Sequence, residues 1–118
     1  MNLKEYVELS GRTNSNLQFP LMNDLHMILG MVTEVCELAD VFKKYMAYKK
    51  EMDYVNIQEE IGDLMWYIAN FCRMNHFDLE KILERNIAKL EARYPEKFFD
   101  AEKAKIRDLD AERKILEQ

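Results

Sequence analysis

Glu34 and Glu37 stand three residues apart, and Glu60 and Asp63 repeat that spacing further along the chain. On a helix, a separation of three brings two side chains to one face, so each pair presents two carboxylates together. The first pair shares its stripe with His26 and Gly30, the second with Asn56, Tyr67 and Asn70. Both stripes border an apolar face instead of lying opposite it. If the two helices pack antiparallel, four carboxylates converge, and unpaired carboxylates in such a group repel and raise one another's pKa. A divalent cation resolves the conflict. Mg²⁺ takes hard oxygen ligands and commonly shares its shell with substrate phosphates; Mn²⁺ is the expected substitute. Either pair alone also fits an ordinary solvated helix face. Two pairs on successive helices, among Gly30, Trp66 and Tyr67, favour a metal site. Di-iron bundles typically use Glu-x-x-His pairs, which this sequence lacks, so redox iron is the poorer fit.

The elements that must position these residues are helices. Leu21, Leu25, Ile28, Val32, Val35 and Ala39 recur at helical spacing and predict a long helix over 21–47, with Pro20 near its start, where proline is tolerated. Lys43, Lys44, Lys49 and Lys50 suit its C-terminal end. Asp53 is a plausible N-cap for a second long helix over about 54–75, with Ile57, Ile61, Leu64, Ile68 and Phe71 as its apolar face. Asp78 can cap a third over about 79–93, carrying Leu79, Ile82, Leu83, Ile87 and Leu90 and ended by Pro95. A short helix over 2–9 precedes a loop at 11–16. Residues 99–118 are mostly charged and read as a helix or an arm packed on a neighbour.

Composition agrees. The chain has 118 residues, three glycines and two prolines, too little turn chemistry for a many-stranded β fold. The expectation is an all-α antiparallel helical bundle forming a single domain over 1–118, with its core at about 18–98. A thin bundle of three amphipathic helices leaves apolar surface for a second copy, so a homodimer or homotetramer is expected. The net charge of −5 argues against a dedicated nucleic-acid binder, yet permits a phosphate-bearing substrate where a metal supplies positive charge. Cys36 and Cys72 match no zinc or redox spacing and read as buried free thiols. Met1–Ser10 carries Lys4, Glu5 and Glu8 and does not read as a signal peptide, and no membrane span is evident. A soluble, cytoplasmic protein is the expectation.

Gly30–Leu38, which reads Gly-Met-Val-Thr-Glu-Val-Cys-Glu-Leu, followed by Glu59–Leu64, which reads Glu-Glu-Ile-Gly-Asp-Leu, resembles the MazG-like nucleoside triphosphate pyrophosphohydrolases. Their signature is ExxE, a variable spacer, then ExxD, supplied here by Glu34, Glu37, Glu60 and Asp63. The stretch Asn86–Pro95 resembles the family's closing motif, so the likeness runs from about His26 to Phe98. One departure is Cys36, at a position where family members often carry glycine. The resemblance implies hydrolysis of nucleoside triphosphates between the α and β phosphates, by helical dimers or tetramers with the nucleotide pocket near a subunit interface.

On that resemblance, Glu34, Glu37, Glu60 and Asp63 would be the metal ligands, with Glu37 the preferred catalytic residue, orienting or deprotonating water. Lys89 and Arg93, four apart on one helix face, would contact phosphate; Tyr67 would stack on the base or ribose, and Asn86 would hydrogen-bond the nucleotide. Each has an ordinary alternative: surface charge for Lys89 and Arg93, an exposed amide for Asn86, core packing for Trp66. Lys43 and Lys44 read first as helix-end solvation and second as phosphate contacts; His26 reads first as a satisfied polar residue at the core edge and second as a pocket residue supporting the site. Three other functions compete: a phosphoribosyl-ATP pyrophosphohydrolase, a dimeric dUTPase, and a non-catalytic helical interaction module.

Overall fold

The helices begin where short side chains can take up free backbone N–H groups. In the computed structural model, which describes residues 1–17 and 19–118, Asn2 and Glu5 close a reciprocal capping box at 2.9 Å on helix α1 (Leu3–Ser10). A 3-10 turn, Gly11–Thr13, follows. Helix α2 (Pro20–Tyr48) opens on proline with no side-chain cap and ends at Lys49 in the left-handed conformation. Asp53 caps α3 (Tyr54–Met74), and Asp78 caps α4 (Leu79–Arg93). Asp100 and Asp108 do the same for α5 (Ala101–Lys105) and α6 (Leu109–Leu116), so the charged tail forms two short helices. Among the described residues no strand occurs, and the protein is all-α. The expected start of the core, near residue 18, lies outside the described residues.

The chain divides into two compact units, Met1–Phe77 and Asp78–Gln118. In the first, α2 and α3 run antiparallel: Asp24 meets Asn75, His26 and Gly30 meet Tyr67, and Glu34 and Glu37 meet Glu60. The connection 49–53 is too short for any other arrangement of neighbours. A Cβ built on Gly30 would lie 2.1 Å from Tyr67 Cε1, so only glycine lets the two helices approach this closely.

The inward face of α2 differs from what its apolar periodicity suggests. Met27, Gly30 and Val41 are buried, with Glu34 and Leu38 half-buried in the same row. Leu21, Leu25, Ile28, Val32 and Val35 are exposed. The acidic stripe therefore faces α3, and the apolar stripe is left over. Cys36, expected to be buried, is exposed, while Cys72 is buried. Cys36 lies two positions from Glu34, on a part of the helix turned away from α3, so its replacement of glycine does not bear on the α2–α3 approach.

Helix α1 and the turn after it lie along another face of α3. Tyr6 Oη donates to the Gly62 carbonyl (3.4 Å), Trp66 Nε1 donates to Thr13 Oγ1 (3.0 Å), and the fully buried Asn70 donates to the Ser10 carbonyl (3.2 Å). Arg73 donates back to Asn70 Oδ1 and fills the space beside Gly11.

In the second unit, α6 is fixed to α4 by one carboxylate. Glu112, only 5% exposed, accepts from Arg93 Nε at 2.8 Å and from Arg107 on its other oxygen. Tyr94 packs on Phe99 with ring centroids 5.8 Å apart, and the Arg93 guanidinium lies over the Tyr94 ring.

Candidate metal centre

Glu34 and Glu37 project from α2, and Glu60 from α3, so that one carboxylate oxygen of each falls within 4.8 Å of the others. Three anions in that space cannot satisfy one another. Asn56 Nδ2 donates to Glu60 Oε1 at 2.5 Å, one turn earlier on α3. Oε2 of Glu60 and Oε2 of Glu34 are buried with no hydrogen-bond donor. A buried carboxylate oxygen without a donor is costly, and the electrostatics record the cost. Burial, then the close approach of Glu60, then the charges of Glu37, Asp63 and Glu60 push the Glu34 carboxyl up to about 7. Glu37, although exposed, is raised as well, first by its contact with Glu60 and then by the charge of Glu60.

Such a group fits a hard divalent cation. It offers oxygen donors only, two of them buried and unpartnered, with Glu37 exposed at the rim. Asp63 lies outside the tight trio but near enough for its charge to raise Glu34 and Glu37. Three of the four acidic residues singled out from spacing are thus gathered directly, and the fourth borders them.

Around the trio the stripes are aromatic at one end and of mixed charge at the other. Tyr67 sits one turn beyond Asp63, edge-on to Trp66 at 4.9 Å and to His26 at 6.2 Å. His26 Nδ1 is buried without a partner, so His26 is not the satisfied polar residue expected at the core edge. Trp66 is half-buried and anchored to Thr13. Towards the α2–α3 connection, a cavity of about 390 Å³ is lined by Val41, Lys44, Lys50, Glu51, Asp53 and Asn56, and so adjoins Glu60 through Asn56. Lys43 and Lys44 both pair with Asp40, at 3.4 and 2.9 Å.

Asn86, Lys89 and Arg93 belong to α4 in the second unit. Asn86 is exposed and Lys89 half-buried. Arg93 is committed to Glu112. Spacing on α4 could not reveal this, because its partner lies on another helix. Asn56 was visible on the acidic stripe, but its bond to Glu60 was not. Tyr6 carries no local signal at all: only the packing of α1 on α3 brings it to Gly62.

Residues 23–98 match the MazG nucleotide pyrophosphohydrolase domain. The chain belongs to the MazG family. Its four signature acids all fall inside the matched span, whereas α1 precedes it. The MazG chain is also 31% identical over 72 residues to the gene 37 protein of Mycobacterium phage L5, covering 58% of this chain and 63% of the phage protein. It therefore spans less than two thirds of that relative's length. No solved structure matches. No helix among the described residues is long and apolar enough to cross a membrane.

Proposed function

We propose that this MazG protein is a Mg²⁺-dependent pyrophosphohydrolase that converts nucleoside triphosphates, ribo or deoxy, to the monophosphate and pyrophosphate. The observation that carries the reading is the pair of buried, unpartnered carboxylate oxygens on Glu34 and Glu60, within a trio completed by Glu37. Glu34, Glu37, Glu60 and Asp63 would hold the cation, Mg²⁺ by preference and Mn²⁺ as a substitute. A divalent cation at that position supplies charge neutralisation and Lewis acidity for attack at phosphorus.

The protein's own groups do the remainder. Glu37 is the exposed member of the trio, and its contact with Glu60 and the charge of Glu60 raise its pKa, which favours uptake of a proton. It orients a water for in-line attack on the α phosphorus and receives the proton. The new bond forms from water oxygen to phosphorus, the α–β bridging bond breaks, and pyrophosphate leaves. Asn56 holds Glu60 in place through its 2.5 Å bond. The cavity beside Asn56 receives the outer phosphates, with Lys44 and Lys50 on its wall. Tyr67 packs on the base or ribose. A cellular role in clearing non-standard or surplus nucleotides fits this chemistry.

We also place a second copy on the exposed row Leu21, Leu25, Ile28, Val32 and Val35, giving a homodimer or a homotetramer. Light scattering at micromolar concentration should return a mass above that of one chain; a monomer would remove this part of the reading.

The deciding assay separates products by anion exchange after incubation with a panel of standard and modified nucleoside triphosphates, with Mg²⁺ and with EDTA. Monophosphate plus pyrophosphate, formed only with the metal, is the expected result. Diphosphate plus orthophosphate would move attack to the γ phosphorus and overturn the mechanism.

A further inference from the structure

Four successive turns of α3 are tied to the N-terminal segment. Gly62, Trp66, Asn70 and Met74 meet Tyr6, Thr13, Ser10 and Asn14 respectively, at 3.4, 3.0, 3.2 and 3.4 Å. The first of these contacts stands beside the site. Gly62 immediately precedes Asp63, and its carbonyl holds the Tyr6 hydroxyl at the outer limit of hydrogen-bond distance, so the bond is weak and readily exchanged. A Cβ built on Gly62 would meet nothing within 4 Å, so the space next to Asp63 is open. Asp63 is also the one acid of the four that stands outside the close trio.

We propose that the Tyr6 hydroxyl is a positioning group for Asp63, and that α1, which precedes the matched domain, is a working part of the cation site. The proposal rests on the reading of the acidic cluster as a cation site. Carboxylates that ligate metals are themselves oriented by hydrogen-bond donors, and removal of such a donor weakens metal affinity on the order of tenfold or more. Tyr6 is suited to that work. A phenol is a hydrogen-bond donor at neutral pH, and this one stands close enough to Asp63 to feel its charge. Tyr6 is half-buried where α1 packs on α3, which limits where the hydroxyl can go.

The test measures Mn²⁺ binding to the full chain by isothermal titration calorimetry, without nucleotide. Wild type, Tyr6→Phe, Asp63→Asn and the double variant form a cycle, and Glu60→Gln reports on the cluster. Tyr6→Phe should raise the Kd by about tenfold, with melting in EDTA unchanged because a 3.4 Å exposed bond adds little stability. In the Asp63→Asn background the same substitution should do nothing further. An unchanged Kd for Tyr6→Phe, or an equal effect in both backgrounds, overturns the assignment. If the wild-type chain binds no Mn²⁺, or Glu60→Gln binds it as well as wild type, the cation site itself fails, and the role of Tyr6 fails with it.

Discussion

Glu60 in the first unit and Glu112 in the second are buried to the same degree, 6% and 5% exposed, and their surroundings are opposite. Glu112 has two guanidiniums, each donating to both of its oxygens, and is held down at about 2. Glu60 has one amide on one oxygen, nothing on the other, and two further glutamates against it. Burial alone therefore says little about what an acidic residue is for. A carboxylate whose partners are supplied by the chain fastens helices together. One whose partners are missing, next to others in the same condition, is arranged for something that comes from outside.

The sharpest way to break this contrast is to remove charge from each site in turn. Glu60→Gln keeps the shape and the Asn56 neighbour but lowers the cation's hold. Because a bound metal stabilises the transition state by several kcal/mol and each 1.4 kcal/mol is tenfold, pyrophosphate release should fall by about a hundredfold or more. Circular dichroism should stay that of wild type. Glu112→Gln should do the reverse. It leaves Arg93 and Arg107 without their anion, so amide-exchange protection in α6 should drop steeply while Mn²⁺ affinity in the first unit persists. Loss of metal binding with loss of Glu112, and not of Glu60, would invert the assignment of roles.

Acidity probes the same contrast with opposite sign. Glu112 has a depressed folded pKa, so its contribution to stability is present above its ordinary value of 4.5 and is lost as pH falls from there towards about 2. Glu34 has a raised one. Its protonation stabilises the fold below 4.5, and that contribution disappears as pH rises through about 7. In EDTA, melting followed by signals from each unit should show the first unit weakening from pH 4.5 to 7 and the second weakening below pH 4.5. Saturating Mg²⁺ should raise the first unit's melting temperature and flatten its upper window. A first unit that grows more stable across that window without metal would contradict the crowding of its carboxylates.

The smallest expected effect concerns Gly62, a helical glycine beside Asp63. Gly62 has open space where a Cβ would go, so Gly62→Ala should stabilise α3 by about 0.5–1 kcal/mol through helix propensity alone. Mn²⁺ affinity should be unaffected, as read by thermal melting and titration of the same sample.

Much of this was legible beforehand, for identifiable reasons. Caps and helical periods are local, so Asp53 and Asp78 marked helix starts that the structure reproduces. The acidic pairs were legible because the i,i+3 geometry and the short connection 49–53 together leave little choice in how α2 and α3 meet. Which face of α2 turns inward was harder. Leu21, Leu25, Ile28, Val32 and Val35 form the more apolar row, yet the row holding Met27, Gly30 and Glu34 packs on α3, because only Gly30 admits the Tyr67 ring. Periodicity shows that a helix has two faces without naming the neighbour of each. Arg93 and Tyr6 were opaque for a related reason: their partners, Glu112 and Gly62, are on helices far along the chain, and no spacing rule links them.

Gly30 lies one turn from Glu34, and Tyr67 one turn from Asp63, so the contact between them sets how far apart the two rows of carboxylates stand. With a cation held as proposed, that contact would work as a gauge for ionic radius. Mg²⁺ needs oxygens at about 2.0–2.1 Å and Ca²⁺ at about 2.3–2.6 Å; the added methyl of Gly30→Ala, pressing on the Tyr67 ring, would widen the gap and move the preference towards the larger ion.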